Sequence, residues 1–451
     1  MASNTDITTQ QQSSPFLGIN SKDQVSDSSL LGPHNTAKVV AKSSNVQSYI
    51  NSIKIFLGNV YLTIPSVFSS TGWLGGICLY TLVAILNTYT MTQILSVAAA
   101  YSRKPDPDTL EQREVKSYTD LSERIHGKRG KYLVIMFMFI VQFSCCVGYL
   151  YFVALIFDDI VCDQTNGRVC GYKTEYKQLM LVVTIPLSLV KSYTYLSYVS
   201  MCGIACALSG AIMMVGYCSD KLIKGDYVHE ELKFFDPLQF FGYIGIAMFS
   251  FEGNGIVINL QAEAQNKKRY PSHLRFAVLT IIIWYMILST VCYATYRGTA
   301  GSVDYITQLL PIGPLTIAIN LLFCVNAITS YPVQILCAFE IVEELTFFNN
   351  PSDSKVLKNV KLYTERVLFI LVVTMAAIVI PKFVDFLNIS GSLGSAALGF
   401  ILPPLYHMKS VGGIKNMPKH IAAFNVFLIF FGVFGAIYSL YNSISKLVNG
   451  K

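Results

Sequence analysis

The sequence predicts an all-α polytopic membrane protein of eleven helices, arranged as two inverted five-helix halves plus one additional helix. Of its 451 residues, 53% are hydrophobic and only 14% are charged, whereas soluble domains carry about 25% charged residues. Apolar stretches of roughly 20 residues recur along the chain, and each is long enough to cross a bilayer. Two of these stretches, five spans apart, contain residues that interrupt helices, which is typical of inverted-repeat transporters.

Hydropathy gives the order and approximate bounds of the helices. The loops between them are too short for another domain, so we expect one transmembrane domain over residues 48–447. The eleven predicted spans are 53–71, 74–99, 132–159, 178–192, 195–217, 238–259, 276–296, 313–342, 364–382, 384–406 and 421–445.

Residues 1–47 are rich in Ser, Asn, Gln and Thr and nearly free of large apolar side chains. This composition predicts a disordered tail without a cleavable signal peptide. The net charge of +7 does not indicate a nucleic-acid partner, because no basic run exceeds the three residues 267–269. Of the 34 Lys and Arg residues, 24 fall in segments on the N-terminal side of the membrane. The bias predicts a cytosolic N-terminus and an outer or luminal C-terminus.

The first predicted span contains a helix interruption. Gly58 precedes Asn59, and Pro65 follows seven residues after the glycine. Glycine favours an open backbone, and proline removes a donor and clashes with the preceding turn. We therefore expect an unwound stretch from Gly58 to Pro65 near the middle of the bilayer, with Gly58, Asn59 and Val60 facing a substrate.

The sixth span contains the second interruption and an ionisable residue. Glu252 lies within the apolar segment 241–261, and an acid at membrane depth is costly enough to mark a functional site. The flanking residues favour an opening of the helix. The candidate substrate-binding residues of this span are Phe251, Glu252, Gly253, Asn254 and Gly255.

An opened helix offers free N–H and C=O groups and two partially charged half-helix ends. A half-helix N-terminus attracts a carboxylate, and free carbonyls with an acid attract an ammonium or a cation. An amino acid presents both charges on one small molecule. Tyr149, Phe249 and Gln142 are candidate pocket walls, although ordinary packing is the simpler interpretation.

The residues around the two interruptions resemble the amino acid/auxin permease family, and look closest to its proton-coupled amino acid transporter branch. The resemblance rests on Gly58, Leu62 and Pro65, on FSFEGNGIVINLQAE in the sixth span and on GSLGSAALGFILPPL in the tenth. It implies a LeuT-like fold and amino acid transport, coupled usually to protons and less often to sodium. It also implies that backbone at Gly58 meets the substrate carboxylate and that Glu252 handles substrate and protons. Val60 departs from the family pattern, which has a second glycine there.

Three roles for Glu252 remain open at this point. It could carry the coupled proton, pair with the substrate amino group, or form a structural hydrogen bond. Sodium would need several hard oxygen ligands. The candidate sodium ligands are Asn59, Asn326, Thr329 and Ser330.

Other classes of function are less well supported. An enzyme is not expected, because no pair of the six histidines has metal-ligand spacing and no glycine-rich phosphate loop precedes a helix. We therefore expect no metal and no cofactor, and an ion gradient as the driving force. An amino-acid sensor of the same fold would look alike in sequence. The partners expected are an amino acid and membrane lipid, in the plasma membrane or a vacuolar or lysosomal membrane, with oligomeric state undecided.

Two cysteines differ from the others, which mostly lie in apolar spans. Cys162 and Cys170 lie in a polar loop predicted on the outer side, where disulfides persist. A bridge between them, or from one of them to Cys218, is the expectation.

Overall fold

The computed structural model describes residues 43–105, 112–165, 167–188, 193–311, 313–345 and 355–449. Nearly all of them are helical. The first half of the chain forms five spans, the first of which is made of two pieces. The helices are α1 (Asn45–Phe56), α2 (Ile64–Thr71), α3 (Trp73–Ser102), α4 (Tyr118–Gln164), α5 (Lys173–Ser188) and α6 (Tyr193–Lys224).

The second half forms six spans. The sixth span of the chain consists of three pieces, and the tenth joins two α-helices through π-helical turns over Gly391–Ser395 and Ala397–Ile401. The helices are α7 (Pro237–Gly242), α8 (Ile244–Ser250), α9 (Asn254–Glu263), α10 (Tyr270–Tyr296), α11 (Pro314–Leu345), α12 (Lys355–Val379), α13 (Phe383–Ser390), α14 (Leu402–Ser410) and α15 (Lys419–Asn449).

The predicted fold class is confirmed, with the first and sixth helices discontinuous and one helix beyond the two five-helix halves. Among the described residues, eight helices are long and apolar enough to cross a membrane. The other three spans are the two interrupted ones and α5. We call the side on which α1 begins the N-terminal face, and the side on which α15 ends the C-terminal face.

The first helix begins earlier than hydropathy predicts. Ser44 caps α1 through a reciprocal pair of hydrogen bonds with Gln47, so helix starts at Asn45 in a segment too polar to be recognised as a span. Ser43 then pairs with the end of α9: its N–H donates to Glu263 O at 3.0 Å, and its O accepts from Gln265 N at 3.0 Å. Residues 43–47 therefore belong to the folded unit, while the rest of the predicted tail lies outside the described residues.

The interruption of the first span is shorter than expected. α1 ends at Phe56, Gly58 is extended, and a 3₁₀ turn over Asn59–Thr63 leads into α2. Pro65 lies in the first turn of α2, where its missing N–H has no intrahelical acceptor in any case. Proline thus starts the second half-helix instead of extending the opening.

The interruption of the sixth span falls where the sequence predicts it. α8 ends at Ser250 and α9 begins at Asn254, so residues 251–253 leave the helix. α8 is held tightly against the tenth span, because a Cβ on Gly391 would overlap the carbonyl of Gly245. Asn388 adds two hydrogen bonds, accepting from Ile246 N at 2.8 Å and donating to Gly242 O at 2.7 Å.

The small residues Gly203, Ala207 and Ala211 of α6 are buried on a packing face. α6 packs along α11, where a Cβ on Gly210 would lie 3.3 Å from Phe323 and one on Gly203 would overlap Thr329 Oγ1. Close approach of this kind is the usual role of small residues between membrane helices. α11 also packs on α4, and both of these helices line the central cavity.

Candidate functional site

A cavity of about 380 Å³ lies between the two interruptions and extends to the N-terminal face. This volume is within the range of small-molecule sites, roughly 300–1,000 Å³. Its walls come from the first, third, sixth and eighth spans, with one loop and the start of α13 at its far end. At the N-terminal face it is lined by Asn51, Ser117, Thr119 and the exposed Glu340.

The first span contributes backbone at its interruption. Gly58, Asn59 and Val60 all line the cavity, and their contact with a substrate stays a prediction. A Cβ on Gly58 would lie 3.6 Å from Tyr149 Oη, so the glycine faces the third span across the cavity. The Val60 side chain occupies cavity wall at the position where the family pattern has glycine.

The sixth span contributes its carboxylate and the start of its second half-helix. Glu252 and Gly255 line the cavity, together with Phe249 and Ser250. One carboxylate oxygen of Glu252 accepts a hydrogen bond from Gly255 N at 3.2 Å. Glu252 thus caps the first turn of α9 while remaining on the cavity wall, so a structural role and a cavity-facing role coexist.

Three other candidates from the sixth span pack into the protein and do not line the cavity. Phe251 is 1% exposed, and its ring lies against Tyr80 and Tyr285. Gly253 faces aliphatic and aromatic groups of the first two spans. Asn254 is fully buried. Phe251, Gly253 and Asn254 thus pack on the side of the interruption away from the cavity, and their contact with substrate stays a prediction.

Asn87 in α3 holds this interruption open, and sequence reasoning missed it. Its Nδ2 donates to Phe251 O, and its Oδ1 accepts from Asn254 Nδ2 at 2.7 Å. Gly399 of the tenth span lies against both amides. The contact joins residues more than 160 positions apart, but an asparagine inside an apolar span is a signal that could have been followed.

Three of the four candidate sodium ligands lie together. Asn326 Nδ2 donates to Asn59 Oδ1 at 2.8 Å, and Ser330 Oγ donates to Asn326 Oδ1 at 3.3 Å. Thr329 instead points toward Gly203 and donates to Val325 O at 2.7 Å. The residues therefore form an interhelical hydrogen-bond chain between the first and eighth spans, with Thr329 outside it.

Aromatic rings close the cavity toward the C-terminal face. Tyr305 and Phe383 line its end and are each 1% exposed. Their ring centroids are 5.4 Å apart, and the Phe383 ring also stacks on Tyr151 at 5.0 Å. The loop residue Asp304 fastens this stack: it accepts from Tyr151 Oη at 2.7 Å and from the Phe383 and Val384 N–H groups at 2.9 and 3.2 Å.

We expect Asp304→Ala to open this closure. Losing a charge-assisted hydrogen bond costs about 1.5–3 kcal/mol. The population of the open form relative to the closed form should therefore rise about tenfold or more. Cys145 lines the cavity and reports on access. A membrane-impermeant maleimide added at the C-terminal face, read by peptide mass spectrometry, should label Cys145 faster in the variant.

Asp158→Ala is the matched control. This aspartate also lies toward the C-terminal face, but it accepts from the Gly171 and Tyr172 N–H groups and holds a loop. Equal labelling of Cys145 in the wild type and in Asp304→Ala would show that Asp304 does not fasten the closure.

The cysteines of the third-to-fourth loop are joined in the structure. Cys162 and Cys170 form a disulfide, and Asp158 holds the same loop through its two N–H contacts. The alternative bridge to Cys218 does not form, because the Cys218 sulfur lies buried beside Cys292 at 3.9 Å.

The fold and the site define a polytopic helical membrane protein whose two interrupted spans enclose a cavity. The profile of the family described as "Transmembrane amino acid transporter protein" matches residues 41–445. The chain belongs to this family of transporters, and the resemblance to the amino acid/auxin permeases is confirmed.

Three relatives whose names describe amino acid transporters match most of this chain. "Amino acid transporter AVT3A" of Arabidopsis thaliana is 26% identical over 434 residues, covering 94% of this chain and 93% of its own. "Vacuolar amino acid transporter 3" of Saccharomyces cerevisiae is 22% identical, covering 89% and 57%. The human "Vesicular inhibitory amino acid transporter" is 24% identical, covering 96% and 81%. A solved Na⁺-coupled sialic acid symporter in a substrate-bound outward-open state aligns with a TM-score of 0.49 at 11% identity, covering 89% of this chain and 90% of that chain.

Proposed function

We propose that this protein is a secondary active transporter that moves amino acids across a membrane in symport with protons, by alternating access. The names of its relatives support amino acids as the substrate class. The single observation that carries the proposal is the position of Glu252, whose carboxylate lines a cavity between two interrupted helices.

The chemistry of the cavity suits a zwitterion. The substrate carboxylate binds backbone N–H groups at the start of the 3₁₀ turn that follows Gly58, where the first span leaves its helix. The substrate ammonium binds near Glu252 on the opposing span. Apolar side chains of Val60, Tyr149 and Phe249 line the same space and contact the substrate side chain. Alternating access exposes this site to one face at a time.

Glu252 is the proposed proton carrier. Burial among apolar groups favours the neutral acid, whereas the Gly255 N–H and the first turn of α9 favour the carboxylate. Because these influences oppose each other, the protonation state can follow the state of the cavity. In one state the acid takes a proton from the acidic side, and in the other it releases the proton with the substrate.

The Asn59, Asn326 and Ser330 chain favours proton over sodium coupling. Both amide oxygens accept hydrogen bonds from neighbouring side chains, so they have partners without a sodium ion. For topology, we propose that the N-terminal face is cytosolic, because the basic residues concentrate there. The relatives' names favour an internal membrane over the plasma membrane.

The test is uptake of a panel of labelled amino acids into proteoliposomes that contain the purified protein. Each amino acid is offered with no gradient, with acid on the C-terminal face, and with sodium on the C-terminal face. We expect accumulation of at least one amino acid under the proton gradient and little effect of sodium. Protein-free liposomes under the same gradients are the control.

Two other results would each contradict a different part of the proposal. Accumulation under the sodium gradient alone would show that sodium, and not the proton, is the coupling ion. It would still support amino acid transport. Binding without net uptake under any gradient would favour a sensor of the same fold.

A further inference from the structure

Lys54 is a charged group that the transport proposal has not used. It lies in the last turn of α1 and lines the cavity. Gly58 follows four residues later, about 6 Å further along the span. The Lys54 Nζ atom is shielded from solvent and has no hydrogen-bond partner among the described residues. In the sequence, Lys54 is one of the 24 Lys and Arg residues assigned to the N-terminal side of the membrane.

A shielded ammonium without a partner destabilises the folded protein. Moving an ammonium out of water costs several kcal/mol unless a counter-charge or hydrogen bonds replace the water. Lysines near the ends of membrane helices usually extend to the interface, and Lys267 on the same face pairs with Glu114. Lys54 does neither, so its ammonium lacks the compensation that a purely structural lysine would have.

The end of α1 does not need Lys54 either. A basic residue in a last turn can bond the free carbonyls of a helix end. Here the Phe56 carbonyl already accepts from Gly58 N at 2.9 Å and from Tyr285 Oη at 2.5 Å. The ammonium makes no bond to any carbonyl of the described residues, so helix capping does not account for it.

Among the residues that the structure describes, no anion of the cavity lining is paired with Lys54. Among the cavity's described lining residues, Lys54 is the only Lys or Arg, and the carboxylates are Glu252 and Glu340. Glu252 bonds the first turn of α9, and Glu340 lies exposed at the N-terminal face with interactions of its own. An unpaired ammonium beside a cavity that admits zwitterions matches the carboxylate end of the substrate.

We propose that Lys54 forms a carboxylate-binding subsite on the N-terminal side of the interruption. This inference rests on the proposed function. The subsite binds the α-carboxylate of an amino acid while the cavity is open to the N-terminal face. The carboxylate passes between Lys54 and the backbone at Gly58, so the substrate keeps a partner for its negative charge along this path. Amines that lack the carboxylate gain nothing from Lys54.

The experiment compares Lys54→Met and Lys54→Arg with the wild type, using the amino acid that the panel shows to be taken up best. Transport is started from the N-terminal face and, separately, from the C-terminal face. We expect Lys54→Met to raise the half-saturating concentration about tenfold from the N-terminal face, the loss of one charged hydrogen bond. Lys54→Arg and the control Lys267→Met should change it less than about threefold. Inhibition by the decarboxylated amine of the same substrate should be equal in all variants.

Thermal unfolding in detergent supplies an independent readout. Met keeps the length of the side chain and removes the unpaired charge, so Lys54→Met should unfold about 2 °C or more above the wild type. A lower unfolding temperature, or an unchanged half-saturating concentration from the N-terminal face, would overturn the subsite.

Failure of the transport proposal can be distinguished from failure of the Lys54 subsite. If the wild type moves no amino acid, the transporter proposal is wrong. The Lys54 subsite is then tested by measuring whether the amino acids of the panel raise the unfolding temperature of the protein. Stabilisation that Lys54→Met abolishes supports the subsite. Stabilisation that is equal in both proteins, or absent from the wild type, overturns it.

Discussion

We expect replacement of Glu252 with glutamine to abolish the stimulation of amino acid uptake by a proton gradient. Glutamine keeps the size of the side chain and an oxygen that can accept from Gly255 N, but it cannot take up and release a proton. The capped turn of α9 should therefore survive while coupling is lost. The measurement is initial uptake into proteoliposomes at several values of pH on the C-terminal face. We expect uptake by the variant to be flat across the series, with exchange of internal for external substrate retained.

Glu263→Gln is the matched control for this prediction. Glu263 lies at the other end of α9 and does not line the cavity, so the variant should keep the pH dependence of the wild type. If Glu252→Gln keeps that dependence too, another group carries the proton. If the variant loses exchange and thermal stability together, the carboxylate is a structural group, the third role left open by the sequence.

Replacing Gly391 with alanine should have the largest effect on stability. The added methyl group would overlap the Gly245 carbonyl, and it would also lie 3.0 Å from Phe249 Cβ. Backbone atoms on a packed helix cannot move aside as a flexible side chain can, and Asn388 ties the two spans together with two hydrogen bonds. We expect a loss of about 3 kcal/mol, read as a lower unfolding temperature in detergent.

Gly216→Ala provides the opposite case. Gly216 lies within α6, and a Cβ there would meet no atom within 4 Å. Alanine should be neutral or stabilise by up to about 1 kcal/mol through its helix propensity. Equal unfolding temperatures for Gly391→Ala and Gly216→Ala would show that the sixth and tenth spans can separate at little cost.

The spans and both interruptions could be predicted because they follow from local chemistry. Apolar length marks a membrane helix wherever it occurs, and Gly58 and Gly253 weaken helices without help from distant residues. The start of α1 was missed for the same reason: Ser44 and Gln47 define it by capping, and hydropathy does not detect a cap.

The side-chain directions at the site could not be predicted because they depend on distant contacts. Asn254 is adjacent to the substrate side of its span, yet Asn87 draws its amide away from the cavity. Asp304 lies in a loop with no apolar pattern, and its role follows from the positions of Tyr151 and α13. The sequence shows Lys54 as a charge in an apolar segment. Whether its ammonium has a hydrogen-bond partner among the described residues can be seen only in the structure.

The pairing of Ser43 with the end of α9 has a mechanical consequence. Two main-chain hydrogen bonds and one from the Ser43 hydroxyl fasten the beginning of α1 to the last residues of α9. The half-helices α1 and α9 are thus joined at the N-terminal face, where α1 begins and α9 ends. We therefore expect the two half-helices to move together when the cavity opens or closes at this face.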